Sequence, residues 1–169
     1  LDKDNEKAVE FYQLACSNNE STGCHALGLM HAEGRGFAKN IDSAIQYLDK
    51  ACQLKQSSSC GVVALLYRMQ TPINIDKSLE YSQKGCALKD LDSCSQEAFI
   101  YTQGTYADLP KAASLFKSYC SQNHAKSCFN YAVMLYQGQG ISIDQERSLT
   151  VMKYSCTLGY QEACKTLQP

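Results

Sequence analysis

Ten cysteines fall into five pairs, and the members of each pair are always eight positions apart: Cys16/Cys24, Cys52/Cys60, Cys86/Cys94, Cys120/Cys128 and Cys156/Cys164. An even number at fixed spacing favours a disulfide framework, and with it an oxidising compartment. Metal is the rival reading. Structural zinc sites use cysteines roughly two to four residues apart, or histidines at short spacing. Here the spacing is C-x(7)-C and only three histidines exist, His25, His31 and His124. The expectation is therefore disulfides, with no metal and no cofactor. Pairing within each bracket is the reading adopted, although spacing alone does not fix connectivity among ten cysteines.

The brackets also define a repeat. Successive first cysteines lie 36, 34, 34 and 36 residues apart. The spacing inside a bracket never changes, so the two-residue variation falls between brackets, in "EGRGFAKNID" and "QGQGISID" against "QTPINID" and "QGTYADLP". Loops tolerate such changes and packed helices do not. Each repeat reads as two helices. Four residues past the second cysteine stands a small residue, Gly28, Ala64, Ala98 or Ala132, followed by large apolar pairs such as Leu29/Met30 and Leu65/Leu66. Eight residues before the first cysteine stands another small residue, Ala8, Ala44, Ser78, Ala112 or Ser148. A larger one lies five before it, Phe11, Tyr47, Tyr81, Leu115 or Val151. These are helix faces at a 3.6-residue period. Pro110 is placed in a first turn, and the pairs Gly34/Gly36 and Gly138/Gly140 end helices.

The expected architecture is all-α, a single solenoid domain over residues 1–169 built of helix-turn-helix repeats. It comprises a half repeat (1–18), repeats at about 22–56, 58–90, 92–124 and 126–160, and a C-terminal stub (161–169). Each bracket joins the end of one repeat's second helix to the start of the next repeat's first helix. A bridge there is worth roughly 2–3 kcal/mol in the chain-entropy account. The chain starts at Leu1, in mid-pattern and without a Met, as expected where a signal peptide or earlier repeats have been removed.

Composition narrows the function. A formal net charge of −1 gives no electrostatic case for nucleic acid or acidic membranes, and no apolar run reaches the length of a membrane span. Catalytic signals are weak. One S-x-x-K occurs, Ser114 to Lys117, but its companion motifs S-D-N and K-T-G are missing. His25 follows Cys24 and His124 lies four before Cys128, yet a paired cysteine offers no thiolate. No catalytic residue is expected. Binding is the stronger reading. There are eleven Tyr and no Trp. His31 lies seven past Cys24, where later repeats carry Tyr67, Tyr101 and Leu135, and Tyr136 also falls late in a first helix. These are either helix-packing positions or rungs of an aromatic surface suited to a protein or peptide partner.

The unit A-L-G-x-M-x(3)-G-x-G-x(7)-A-x-x-Y, from Ala26 to Tyr47, resembles the Sel-1-like repeat, a cousin of the tetratricopeptide repeat. The C-x(7)-C bracket and "CFNYAVMLYQGQG" (Cys128 to Gly140) resemble the Helicobacter cysteine-rich protein branch of that family. Residues 60–86 and 94–120 depart from the pattern in lacking the G-x-G loop. The resemblance implies an α/α superhelix cross-linked by disulfides, secreted or periplasmic. It implies an interaction scaffold as the first function, without membrane insertion. Two alternatives come with it: a penicillin-binding or weakly β-lactamase-like protein, and a periplasmic immunity protein whose partner is a toxic bacterial effector.

Overall fold

The structure, a computed structural model, describes residues 3–168. Its helices are α1 (Lys3–Ser17), α2 (Ser21–Glu33), α3 (Ile41–Gln53), α4 (Ser57–Met69), α5 (Ile75–Ala87), α6 (Leu91–Ile100), α7 (Leu109–Cys120), α8 (Ala125–Gln137), α9 (Gln145–Thr157) and α10 (Gln161–Thr166). A 3₁₀ turn (Gly104–Tyr106) precedes α7, and the described residues contain no strand. The chain forms two compact units, Leu1–Ser93 and Cys94–Pro169. In the first, α1 packs on α2, α2 on α3, α3 on α4 and α4 on α5; in the second, α7 packs on α8, α8 on α9 and α9 on α10.

Local chemistry sets where the second helix of each repeat begins. Asn40, Asn74, Asp108 and Asp144 each stand twelve residues before the next cysteine. Each accepts a hydrogen bond on its side chain from the backbone N–H three residues on, at Ser43, Lys77, Lys111 and Arg147. That satisfies one of the orphan donors of the first turn. Each cap also donates its own N–H back across the loop, to the carbonyl of His31, Tyr67, Tyr101 or Leu135 at 2.8–3.1 Å. Loops of two lengths thus close on the same pair of residues.

Small residues let the helices of a repeat touch. A side chain at Gly28 would overlap Leu48, whose own side chain is fully buried against α2. In the first unit Ala44, Ile45, Leu48, Val63, Ala64 and Tyr81 form one core cluster, with Cys52 and Cys60 in it. A second gathers Cys16, Cys24, Leu27 and Ala51. Each fully buried leucine here contributes about 1.5–3 kcal/mol. In the second unit Ala132, Met152 and Ala163 form the corresponding centre, flanked by Phe129, Val133 and Tyr160.

The bracket turns share one geometry. Disulfides join Cys16–Cys24, Cys52–Cys60, Cys120–Cys128 and Cys156–Cys164, with Cα–Cα separations of 4.5–4.9 Å. Cys86 and Cys94 are disulfide-bonded as well, and none of the ten is free. Three residues past each first cysteine the backbone is left-handed, at Asn19, Lys55, Lys89, Asn123 and Gly159, with φ between 62° and 94°. That residue's N–H bonds to the first cysteine's carbonyl. The next N–H reaches the carbonyl just before the cysteine, as Glu20 to Ala15 and Gln56 to Ala51 at 3.0 Å. This is a Schellman cap, which closes a helix while using its last carbonyls. Side chains add ties around the turns. Lys50 Nζ donates to the Cys16 carbonyl of the preceding half repeat at 2.8 Å, and Ser155 Oγ joins the two helices of its own repeat by donating to the Ala125 carbonyl at 2.7 Å.

Candidate binding site

The four residues singled out for binding occupy different environments. In the first unit the His31 ring stacks on Phe37, with centroids 4.0 Å apart, and lies parallel to Tyr47 at 5.4 Å. Burial lowers the pKa of this imidazole, because the cation loses hydration. Tyr67 stacks on Tyr81 at 5.8 Å. The Tyr81 hydroxyl donates to Asp49 Oδ1 at 2.7 Å, and Lys84 Nζ sits 4.4 Å over its ring. Burial first, and then this bond to Asp49, push the Tyr81 pKa up. In the second unit Tyr101 is buried, with Lys111 Nζ 3.8 Å above its ring. His31, Tyr67 and Tyr101 therefore join the two helices of their own repeats.

Tyr136 differs. It lies eight, not seven, past its cysteine, which turns it about 100° around α8 from the packing position. It is 60% exposed. Tyr136 stands on the wall of a cleft of about 400 Å³ in the second unit, with Val133, Leu149, Met152 and Leu167. The cleft lies among α8, α9 and the end of α10. Its walls are almost wholly apolar, with the exposed amides of Gln137 and Gln145 at its edge. Leu149 is 49% exposed, an uncommon state for a leucine at a repeat's core position.

Residues weighed for catalysis are placed otherwise. Ser114 and Lys117 are both exposed on α7. His25 Nδ1 is 2.7 Å from Ser59 Oγ, but Ser59 is fully buried and so closed to substrate. His124 Nδ1 is 2.8 Å from the buried Ser127 Oγ. Cys24 and Cys128, the thiols imagined beside these histidines, are spent in disulfides. No helix of the described residues is long and apolar enough to cross a membrane.

Sequence reasoning missed Val133, Leu149, Met152 and Leu167 as a surface. The spacing that marks a helix face does not say whether the fold covers that face.

Comparison with known proteins agrees with the repeat. A family model described as the Sel1 repeat matches residues 1–20, 21–55, 61–90 and 125–160. The repeat at about 92–124 lies outside these matches. A Sel1 repeat protein from Oxalobacter formigenes superposes with a TM-score of 0.84 at 23% identity, covering 99% of this chain and 70% of that one. Helicobacter pylori cysteine-rich protein B superposes with a TM-score of 0.59 at 30% identity, covering 76% of this chain and 96% of that one. Cytochrome c oxidase assembly factor 7 of Xenopus tropicalis is 29% identical over 64 residues, 37% of this chain. The chain spans 28% of that protein's length. Caps, brackets and helix pairs recur at one period along this chain, and the family model matches most of its length: the chain belongs to the Sel1 repeat family.

Proposed function

We propose that this chain is a protein-interaction module of an extracytoplasmic, oxidising compartment, secreted or periplasmic, and that it binds its partner without catalysing a reaction. The observation that carries the reading is the cleft at Tyr136 and Leu149. That cleft carries large apolar side chains with an amide rim. Apolar centres with polar rims are how protein interfaces are built. The bridges support the compartment, since such pairs persist where thiols are oxidised. The cysteine-rich Helicobacter relative supports it too.

The test is affinity capture from the extracytoplasmic fraction of the native host. The chain and its Leu149→Asp variant are compared. A partner retained by the first and lost by the second is the expected result. A catalytic reading would instead require turnover of a chromogenic β-lactam that disappears in Ser114→Ala. Alkylation of the denatured, unreduced protein before mass measurement should add no mass; labelled cysteines would remove the argument for the compartment.

A further inference from the structure

Ser59, Ser93 and Ser127 each stand just before the second cysteine of a bracket. Each is the third residue of its helix, and each is buried. Their hydroxyls find three different partners. Ser93 Oγ bonds to Asp90 Oδ2, three residues back in its own bracket. Ser127 Oγ is 2.8 Å from Nδ1 of His124, which holds the place of Asp90. Gln56 holds that place before Ser59, and its side chain turns to Ser58 instead. The Ser59 hydroxyl is met from the neighbouring repeat: His25 Nδ1, on α2, lies 2.7 Å away. The comparison gives this bond its direction. A carboxylate only accepts, so Ser93 donates. With the Ser59 hydroxyl donating in the same way, Nδ1 of His25 is the bare nitrogen and the ring proton sits on Nε2.

We propose that His25 is an acid-sensitive latch between the repeats at about 22–56 and 58–90: as a neutral ring it accepts the Ser59 proton and ties α2 to the first turn of α4, and on protonation it releases that turn. Protonation works against the bond in two ways. The imidazolium carries a proton on Nδ1 and cannot accept, which leaves a buried hydroxyl without its acceptor. The cation also faces the N-terminal turn of α4, the positive end of that helix. Burial already lowers the pKa of this ring, and no charged side chain of α1, α3 or α4 among the described residues adds to that effect or offsets it. Cys24 and Cys60 beside the pair are bridged, and Lys50 of α3 is held at the Cys16 carbonyl. The sign follows. The folded pKa lies below the ordinary imidazole value of about 6.5, so the latch is fully closed above that pH and is lost as the pH falls from there through the folded value. The latch is independent of the interaction reading. His124 makes its bond inside its own bracket and ties no second repeat.

The test uses the oxidised 169-residue chain. Nuclear magnetic resonance follows the His25 ring from about pH 8 to about pH 5, the range in which an imidazole titrates. Amide hydrogen exchange, corrected for its intrinsic rate, follows the first turns of α4 over the same range. The His25 midpoint should lie below about 6.5. Protection in α4 should fall about fivefold as the ring protonates, as loss of one hydrogen bond gives. His25→Gln keeps an accepting oxygen and does not titrate, so α4 protection in that variant should no longer follow pH. Ser59→Ala removes the donor that favours the neutral ring, and the His25 midpoint should rise towards the ordinary value. A histidine that only fills space would leave that midpoint where it was. The first turn of α6 is the control in the same spectra, because Ser93 bonds to Asp90 and should keep its protection. His31 does not intrude, since its ring stacks on Phe37 and Tyr47 of its own repeat. A parent midpoint at or above about 6.5 overturns the proposal. So does α4 protection that ignores pH in the parent or falls equally in His25→Gln. The ring titration of the parent needs no variant, so it decides even where a substitution unfolds the chain.

Discussion

Two kinds of turn alternate along this chain, and they solve the same problem differently. Turns between repeats have one length and one backbone path. Their left-handed residue is Asn19, Lys55, Lys89, Asn123 or Gly159, so the conformation is kept while the residue changes. Loops within repeats vary by two residues and change path. In the longer pair, Gly34 and Gly138 cap the first helices in the left-handed region, each with its N–H on the carbonyl of Met30 or Met134 at 2.9 Å. In the loop before α5 no positive φ occurs; Gln70 caps α4 in an extended conformation instead. A covalent bridge plus a Schellman cap over-determines the first kind of turn, so composition there is free. The second kind is held by loop sequence, so composition there decides the path.

The largest effect should therefore come from a glycine in a within-repeat loop. Gly140 has φ +68°, and a side chain there would overlap the Leu109 carbonyl and the Pro110 nitrogen, backbone atoms that cannot step aside. Gly140→Ala should cost roughly 3 kcal/mol or more, the sum of the left-handed penalty and overpacking. Gly104 has φ +71° with nothing within 4 Å, so Gly104→Ala should cost only the conformational part, about 1–2 kcal/mol. Urea unfolding of both variants separates the contributions. Equal losses would mean that close approach plays no part at Gly140.

The between-repeat turns predict a smaller loss from a larger chemical change. Replacing both Cys52 and Cys60 by Ala removes a bridge that closes a short loop. It should cost about 2–3 kcal/mol, mostly by releasing the unfolded chain. The Schellman bonds of Lys55 and Gln56 should survive, so amide exchange at Gln56 stays slow relative to global unfolding. Loss of protection at Gln56 alone would show that the bridge, not the cap, holds the turn.

This difference also explains what could be read in the sequence. The repeat, the helix pairs and the variable loops were legible because each is a local pattern repeated at a fixed distance from a cysteine. The left-handed turns at Lys55 and Lys89 were not, since lysine carries no signal for that conformation and the neighbouring helices impose it. His31, Tyr67 and Tyr101 looked alike in sequence to Tyr136, yet one residue of offset separates a packing ring from an exposed one. The cleft was illegible for a further reason. Leu149 and Ile45 are equivalent by sequence, yet packing leaves one 49% and the other 9% exposed.

The cap that closes both loop types gives a sharper comparison at lower cost. Asp144 follows a long loop and Asn74 a short one, yet each accepts from the N–H three residues on and donates to the same carbonyl of its first helix. Asp144→Ala and Asn74→Ala should each lose about 1 kcal/mol, as N-cap truncations do. Thermal or urea midpoints suffice to measure this. A loss confined to one of them would mean that loop length, and not the shared cap, fixes where the second helix starts.

The smallest effect should have the opposite sign. Lys55 sits at φ +69° with an exposed side chain, so Lys55→Gly removes a left-handed penalty of about 1–2 kcal/mol. Glycine loosens the unfolded chain in return, leaving a net gain of about 0.5–1 kcal/mol. The bridge enters this balance, because a closed loop leaves the unfolded glycine less freedom to gain. Lys55→Gly should therefore stabilise the parent more than it stabilises the Cys52→Ala/Cys60→Ala variant, and a double-mutant cycle measures the difference directly. If the gain is the same with and without the bridge, the bridge and the left-handed residue act independently. The freedom of composition in these turns would then come from the Schellman bonds alone.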